Sequence, residues 1–563
     1  MRRVLVTLLA SAVFLLVPLA AAQEPAELVP GVTWEQHVEL TPHGPVAYTV
    51  ITAPAPLGLT TIRPVLGGGT VTGPRQTMTQ LEESIGGDGI AGGINGDFVS
   101  GASSIPTGIV VVGGALEHTP TPAHSSIGFD ANGTMHVGRI SFSGTWQGSG
   151  QRRPLAGVNE RPRSGDSVLF TPAWGATTPD LPNAADAVLE PFPAADPGSD
   201  LEATVASVAT GSTPIPADGA VLVATGTAAA KLQAEAPQGG SVTVRLILPD
   251  PWSSMVSALG GGPLLVKDGK AVFSTSELFS PTDLNTRQAR AAVGQLPDGH
   301  VILVAVDGGR PGYSIGMTRY ELARTMVQLG AVTAAGLGFG KVVAASFAGQ
   351  LLDRSNAGAQ QPRVKEGLLV VYAGVDTLPP SAPALGEDDV AKGEQLAYRL
   401  TRTSTVTATV TGPDGTSYPV DAGSRDPGIY KFPFTSIDAE GTWHWNVQAT
   451  DDENRSSTAD ETFVYDATMT GLAVPRDVSA ATGLSVGFSL SRPASATLAI
   501  SAPNGTPVAT RAPVQLPAGA QSMQWDGTTS TGAPAPPGTY VATVTETDAI
   551  GTASYHGSFR LHR

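Results

Sequence analysis

Along most of this chain apolar and polar residues alternate, the period of a strand with one buried face. Val46–Ile51 (VAYTVI) is the first such run, and Ile109–Val112 follows a turn-rich break that holds Asn95-Gly96-Asp97-Phe98. Short alternating runs fill residues 115–250: MHVGRISFSG, DSVLFTPAW, GAVLVATG and SVTVRLIL. Residues 289–312 read as two strands joined by a Pro-Asp-Gly turn, the second ending on Asp307-Gly308-Gly309-Arg310. One helix stands out. Thr318 can cap it, Glu321 completes a capping box, Leu322, Met326 and Leu329 share a face, and Gly330 supplies the stop. Strands over Ala331–Ala335, Lys341–Phe347 and Gly367–Tyr372 complete this part.

A proline-rich stretch at 374–386 separates it from two all-β units that resemble each other. Each has a strand, a Pro-Asp-Gly or Pro-Asn-Gly turn, a second strand, and a later Gly-Thr-aromatic strand start (GTWHWNVQATDD, GTYVATVTETD). That repeat predicts two Ig-like sandwiches. Trp443 and Trp445 fall on one side of a strand, where core packing is the plainer reading than ligand stacking.

Composition supports strands and turns. The 563 residues include 67 glycines and 46 prolines, and only 15 % are charged. The N-terminus carries Arg2-Arg3, an apolar run and Ala20-Ala21-Ala22, which predicts a secretory signal over residues 1–22. No later stretch is apolar enough for an integral membrane segment. The expected product is secreted or cell-envelope associated, in the manner of a bacterial exported protein. With no cysteine, disulfides, thiolate nucleophiles and cysteine metal sites are excluded. A net charge of −16 argues against nucleic-acid partners.

The glycine-rich stretch AGLGFGKVV (335–343) invites a phosphate-loop reading, but Ala335 stands at the first glycine position and Val342 at the hydroxyl position. A tight interstrand connection explains its glycines better. His43, His118, His124, His136 and His300 have no metal-ligand spacing, so no zinc site and no cofactor are expected. A loop-bound calcium is compatible with such a β protein but cannot be read from sequence.

Several ordered blocks resemble the phosphodiester glycosidase family, whose uncovering enzyme removes N-acetylglucosamine from a phosphate diester on mannose. They are Asn95-Gly96-Asp97-Phe98 with TGIVVVGG, GGGPLLVKDG, Arg290 in ARAAVG, VILVAVDGGRPGYSIGMTRYELARTMVQLGA, and LLDRSNAGAQQPRVKEGLLVVY with Arg363. The resemblance spans residues 35–374. It implies an α+β catalytic-type domain, strand-rich with few helices, with a central β-rich insertion over about 115–255. A linker at 375–386 and Ig-like domains at 387–468 and 469–563 would follow. The last resembles the Ig-like domain of the flagellar hook-capping protein, through Trp525-Asp526-Gly527 and PPGTYVATV.

The implied activity is hydrolysis of the sugar C1–O bond of a glycosyl-1-phosphodiester in cell-surface or extracellular glycans. Where the family carries Leu-Asp-Gly-Gly-Gly-Ser-Ser/Thr, this chain has Gly338 at the aspartate position and Val342 and Val343 at the hydroxyl positions. The family's Asn-Gly-Gly-Phe-Phe is here Asn-Gly-Asp-Phe-Val, which adds Asp97. The chemistry needs a carboxylate at C1 and cationic or N–H contacts to the leaving phosphate. Asp307 and Asp97 are the candidate catalytic residues. Asn95, Gly96, Arg290, Gly308, Arg310, Lys341 and Arg363 are the candidate substrate contacts. Each also has a plain structural reading, as turn or surface residue. The alternative function is an inactive carbohydrate- or cell-wall-binding protein in which the Ig-like modules are spacers or make surface contacts.

Overall fold

The computed structural model describes residues 25–98, 105–272, 277–354, 360–381, 384–386, 390 and 392–563. The expected signal at 1–22 lies outside the described residues. The architecture is strand-rich, with four short α-helices among the described residues.

Two antiparallel sheets form the first part. One runs in the order Ala26–Val29, Val32–Thr41, Gly44–Ala53, Val301–Val306, Arg290–Gln295, Thr333–Gly336, Leu264–Lys267, Lys270–Ala271. The other runs Gln350–Leu351, Ala345–Phe347, Ile90–Asn95, Glu366–Tyr372, Thr60–Leu66. Alternation decides which face goes where. Ile51, Val293, Leu303 and Ala305 of the first sheet share a core with Ile62, Ile94, Leu368 and Val370 of the second. The opposite face of the first sheet (Val50, Ala292, Val304) packs on Leu322 and Met326 of the helix Arg319–Gln328. That of the second (Val65, Leu369, Val371) packs on Met78 and Leu81 of the helix Met78–Ser84. The result is a helix–sheet–sheet–helix stack. Strands buried on both faces read as continuous apolar runs, as in VILVAV and GLLVVY.

The predicted cap is present: Thr318 Oγ1 accepts the Glu321 N–H at 3.2 Å, and Glu321 Oε2 accepts the Thr318 N–H at 2.8 Å. The stretch after Gly338 differs from expectation. Gly340–Val342 is a 3₁₀ turn, and the strand begins only at Ala345, because Gly340 takes a left-handed φ of 73°.

The insertion also differs in extent. Ala115–His118, Ser126–Asp130 and Met135–Gly138 pair into a sheet with Val110–Val112 and Met255–Gly260, so they belong beside the two-sheet stack. The separate eight-stranded sheet starts at Ser143–Gln147 and ends at Ser241–Ile247. Likewise the proline-rich stretch is not free of structure. Asp376–Leu378 pairs with Glu394–Leu400, and Ala384–Leu385 with Ser456–Tyr465, both strands of the next unit. The two C-terminal units are sandwiches, one with Trp443 and Trp445 fully buried and the other with Trp525.

Candidate functional site

Asn95 ends an inner strand, and the strand register sets Gly367 opposite it. Glu366 therefore stands beside the Asn-Gly-Asp turn. Asn95 is buried, and its side chain is spent on the glycine loop: Nδ2 donates to Gly338 O at 3.0 Å and Oδ1 accepts from Ala344 N at 3.3 Å. Gly96 N donates to Glu366 O, and Gly96 O accepts from Gly338 N, both at 2.9 Å. A Cβ on Gly96 would meet Glu366 Cγ at 2.7 Å, so only glycine allows this approach. Asn95 and Gly96 thus hold the 338 loop in place.

Asp97 and Glu366 form a buried acid pair. Asp97 N donates to Glu366 Oε1 at 2.9 Å, while Asp97 Oδ1 and Glu366 Oε2 are shielded from solvent without a partner. Burial pushes the Asp97 carboxyl up, against hydrogen bonds from Phe98 N, Thr107 and Gly108 N. Burial, and then the Asp97 charge, pushes Glu366 up as well. Burial and the repulsion between the two charges both favour a proton on the pair. A third carboxyl, Glu117, is raised to about 7 by burial and adds to the Glu366 shift.

Asp97 and Asn95 line a cavity of about 200 Å³ with Gly338, Phe98, Phe339, Val342, Arg75, Arg363, Val364 and Lys365. Arg363 is exposed and donates to Arg75 O at 3.3 Å, which ties the two arginines together at the cavity edge. Lys365 is buried and committed to Thr70 O and Gly73 O at 3.0 and 2.6 Å. Burial lowers its ammonium to about 8. Phe98 and Phe339 meet edge to face, with ring centres 5.6 Å apart.

Phe339 also covers two buried arginines. Its ring centre lies 5.0 Å from the Arg290 guanidinium carbon and 4.9 Å from that of Arg319. Arg290 is fully buried and donates to Met317 O, Asp283 O and Thr286 O at 3.0, 2.6 and 2.7 Å. Its Nη1, and Nε and Nη1 of Arg319, have no partner. Burial holds Arg290 down at about 10, and burial together with the Arg290 charge pulls Arg319 well below the ordinary arginine range. The ring faces stabilise the two cations, and they block the guanidinium faces on that side. Arg290, expected as a substrate contact, lies beneath the cavity wall.

Asp307 belongs elsewhere. It is buried at the end of Val301–Val306, where its Oδ2 accepts from Tyr313 OH at 2.9 Å and Arg354 N at 3.4 Å. Asp353 is close enough to feel its charge and is raised to about 7 mainly by burial, with the Asp307 charge adding to it. Burial raises Asp307 too, opposed by Tyr313 and by the Arg310 and Arg354 charges. Among the described residues Asp97 and Asp307 share no hydrogen-bond partner, and neither Asp307, Gly308, Arg310 nor Lys341 lines the cavity. Gly308 packs on Ala289 N, with no room for a Cβ, and Lys341 is exposed. Asp307 and Asp97, the two candidate catalytic residues, thus stand in two separate acidic groups. The cause is connectivity: Asp307 ends a strand of one sheet and Asp97 follows a strand of the other.

Three contributors were not anticipated. Glu366 opens an apolar strand, where a charge ordinarily marks a solvated edge; the strand register that buries it is invisible to local pattern. Arg75 sits in a loop. Arg319 had a readable signal, since it falls on the stripe of Leu322 and Met326. Among the described residues, no three metal-ligating side chains converge in the cavity. They do so at Asp466, Glu546 and Asp548, in the C-terminal sandwiches.

Comparison with known proteins gives two family matches: phosphodiester glycosidase over residues 200–371 and the FlgD Ig-like domain over residues 476–549. The first span holds Arg290, Asp307, Gly338, Arg363 and Glu366, and leaves Asn95–Phe98 outside. A curated relative, the SPbeta prophage-derived uncharacterized protein YomE of Bacillus subtilis (strain 168), is 30% identical over 145 residues, 25% of this chain and 20% of its own. A hypothetical protein from Synechocystis is similar in structure, with TM-score 0.50 and 26% identity over 61% of this chain and 62% of its own. The zebrafish N-acetylglucosamine-1-phosphodiester alpha-N-acetylglucosaminidase catalytic domain aligns at TM-score 0.32 and 13% identity, covering 62% of this chain and 86% of its own. The chain thus spans a fifth of its curated relative and about three fifths of the Synechocystis chain.

Proposed function

We propose that the two-sheet part of this chain, which carries the phosphodiester glycosidase match, hydrolyses the C1–O bond of a glycosyl-1-phosphodiester outside the cytoplasm. The observation that supports this best is the cavity wall that joins Asp97, paired with Glu366, to Arg75 and Arg363 at the edge. Arg75 and Arg363 would take the phosphate, whose planar charge suits guanidinium forks. Phe98 and Phe339 would take the apolar face of the sugar ring. The singly protonated pair supplies the base. Its ionised oxygen takes a proton as water attacks C1, the C1–O bond breaks, and its electrons leave on the phosphate. Such a phosphate needs little protonation, so one carboxylate position suffices. Asp307 is assigned no part in this step. The Ig-like modules would act as spacers or contacts at the cell envelope.

A second reading, glycan binding without turnover, draws on Gly338, Phe339 and Val342, which leave the loop without carboxylate or hydroxyl. A panel of glycosyl-1-phosphodiesters, with Asp97→Asn and Glu366→Gln, separates the two. Turnover lost in both variants supports the hydrolase. Retained ligand binding with no turnover by the unaltered protein supports the binder.

A further inference from the structure

The strand Gly538–Thr547 directs Tyr540, Ala542, Val544 and Glu546 inward. Three of these belong in a sandwich core; a carboxylate does not. Glu546 is fully buried, and among the described residues no N–H or hydroxyl donor reaches either of its oxygens; the polar group against it is the Asp466 carboxyl. Its strand neighbours are Ala496 and Ala553, which offer no donor side chain. Asp466, in the segment that joins the two sandwiches, is also fully buried and leaves Oδ2 unpartnered. Asp548 completes the group, and one carboxylate oxygen from each of the three lies within 4.8 Å of the others.

We propose that Asp466, Glu546 and Asp548 bind a divalent cation, with calcium the best fit, at the junction of the two Ig-like modules. Calcium sits about 2.4 Å from carboxylate oxygens, so oxygens that lie within 4.8 Å of one another can share one ion. The donors are all hard oxygens with no histidine or thiol, which disfavours zinc. Asp548 is already oriented: its Oδ1 accepts from Ile550 N at 2.7 Å and its Oδ2 from Thr468 Oγ1 at 2.8 Å. Asp466 is held through Oδ1 by Thr468 N at 2.8 Å. These contacts leave Asp466 Oδ2 and both Glu546 oxygens for the ion. Arg492, 3.5 Å from Asp548 and bonded to Glu440 at 2.5 Å, supplies one positive charge at the edge. With Glu440 counted, four carboxylates stand against the single charge of Arg492, so the group as a whole favours a cation. Because Asp466 precedes the second module and the other two ligands lie within it, the ion would fix the angle between modules.

The test uses the full chain stripped with a chelator, then titrated with calcium chloride by calorimetry and followed by thermal melting. The expected result is one saturable site, in the range of about 10⁻⁴–10⁻³ M typical of extracellular modules, with a rise in the melting temperature of the C-terminal modules. Glu546→Gln keeps the shape and should abolish both heat and melting shift while circular dichroism stays β. Asp466→Asn should weaken binding at least about tenfold. No binding at millimolar calcium, or unchanged binding by folded Glu546→Gln, overturns the site and leaves Glu546 as a protonated core group.

Discussion

Replacing Glu366 by glutamine probes the buried acid pair directly. Glu366 is 2 % exposed, and burial, reinforced by the Asp97 charge, holds its carboxyl above the ordinary range. The folded protein keeps a proton that the unfolded chain has released. Stability is therefore full below the ordinary carboxylate pKa and falls as pH rises toward the raised folded value. For one proton the slope is about 1.4 kcal/mol per pH unit. Over roughly two units near neutrality the loss is about 3 kcal/mol, or roughly 6 °C in the melting temperature of a domain of this size. Glutamine keeps the shape. Its Oε1 can still accept the Asp97 N–H, its amide can face the Asp97 carboxylate, and it has no proton to lose. Scanning calorimetry from about pH 5 to pH 8 should show the variant melting with the unaltered protein at the acid end and above it at the other. Turnover of a glycosyl phosphodiester should fall by at least about 100-fold. A variant that melts lower by the same margin at every pH would refute the shared proton, because an ordinary packing loss has no pH slope.

Gly338→Ala should destabilise by about 1–3 kcal/mol in a urea titration, since its Cβ would lie 2.9 Å from Asn95 Nδ2 and 3.0 Å from Gly96 O. Gly338→Asp, which places there the residue of the family this chain resembles, should add no turnover while Asp97 remains, because it brings a third carboxyl toward Asp97 and Glu366. Phe339→Ala should cost about 2–3 kcal/mol for the half-buried ring and its two cation contacts. Calorimetry with inorganic phosphate should show tighter binding in that variant, because Arg290 and Arg319 carry three unpartnered nitrogens. Trp445→Ala removes a fully buried ring whose Nε1 donates to Ala397 O at 3.4 Å. It should cost about 3–5 kcal/mol in the first Ig-like module and leave hydrolysis by the N-terminal part unchanged.

The sequence was most readable where local rules decide the structure. The Thr318–Glu321 box lies within four residues, and the inward Trp443 and Trp445 follow from strand period alone. The repeated turn–strand pattern needed only the comparison of two nearby segments. The site was less readable because its parts meet through pairings of distant strands. Glu366 reaches Asp97 only because Gly367 faces Asn95 in the ladder, and a charge before an apolar run looks the same whether buried or solvated. Asp307 stands apart from Asp97 for the converse reason. A strand-end aspartate is a usual place for chemistry, but the strand carrying it belongs to the other sheet. Arg319 was available to a reader who followed the apolar stripe of its helix and asked why a guanidinium interrupts it.

The glycine loop gains its meaning from what faces it. By the family resemblance this chain lacks a carboxylate at Gly338 and has an extra one at Asp97. The two positions are far apart in sequence but adjacent in space: Gly338 N donates to Gly96 O at 2.9 Å, and a Cβ at 338 would lie 3.3 Å from Asp97 O. Both residues line the same cavity. An aspartate at 338 on this backbone would press its Cβ into the Asn95 amide and bring a third carboxyl toward Asp97 and Glu366, where burial and repulsion already favour a proton on the pair. Loss at one position and gain at the other are thus coupled by charge. Phe339 fits the same account. With no carboxylate at 338, the ring is what meets Arg290 and Arg319, and its quadrupole attracts both cations. A loop that had merely decayed would be indifferent to the residue at 97. Asp97→Gly alone should then abolish turnover, and the double change Asp97→Gly with Gly338→Asp should recover part of it. Independent losses in the two single variants, multiplying in the double, would instead mean that the two positions never exchanged a role.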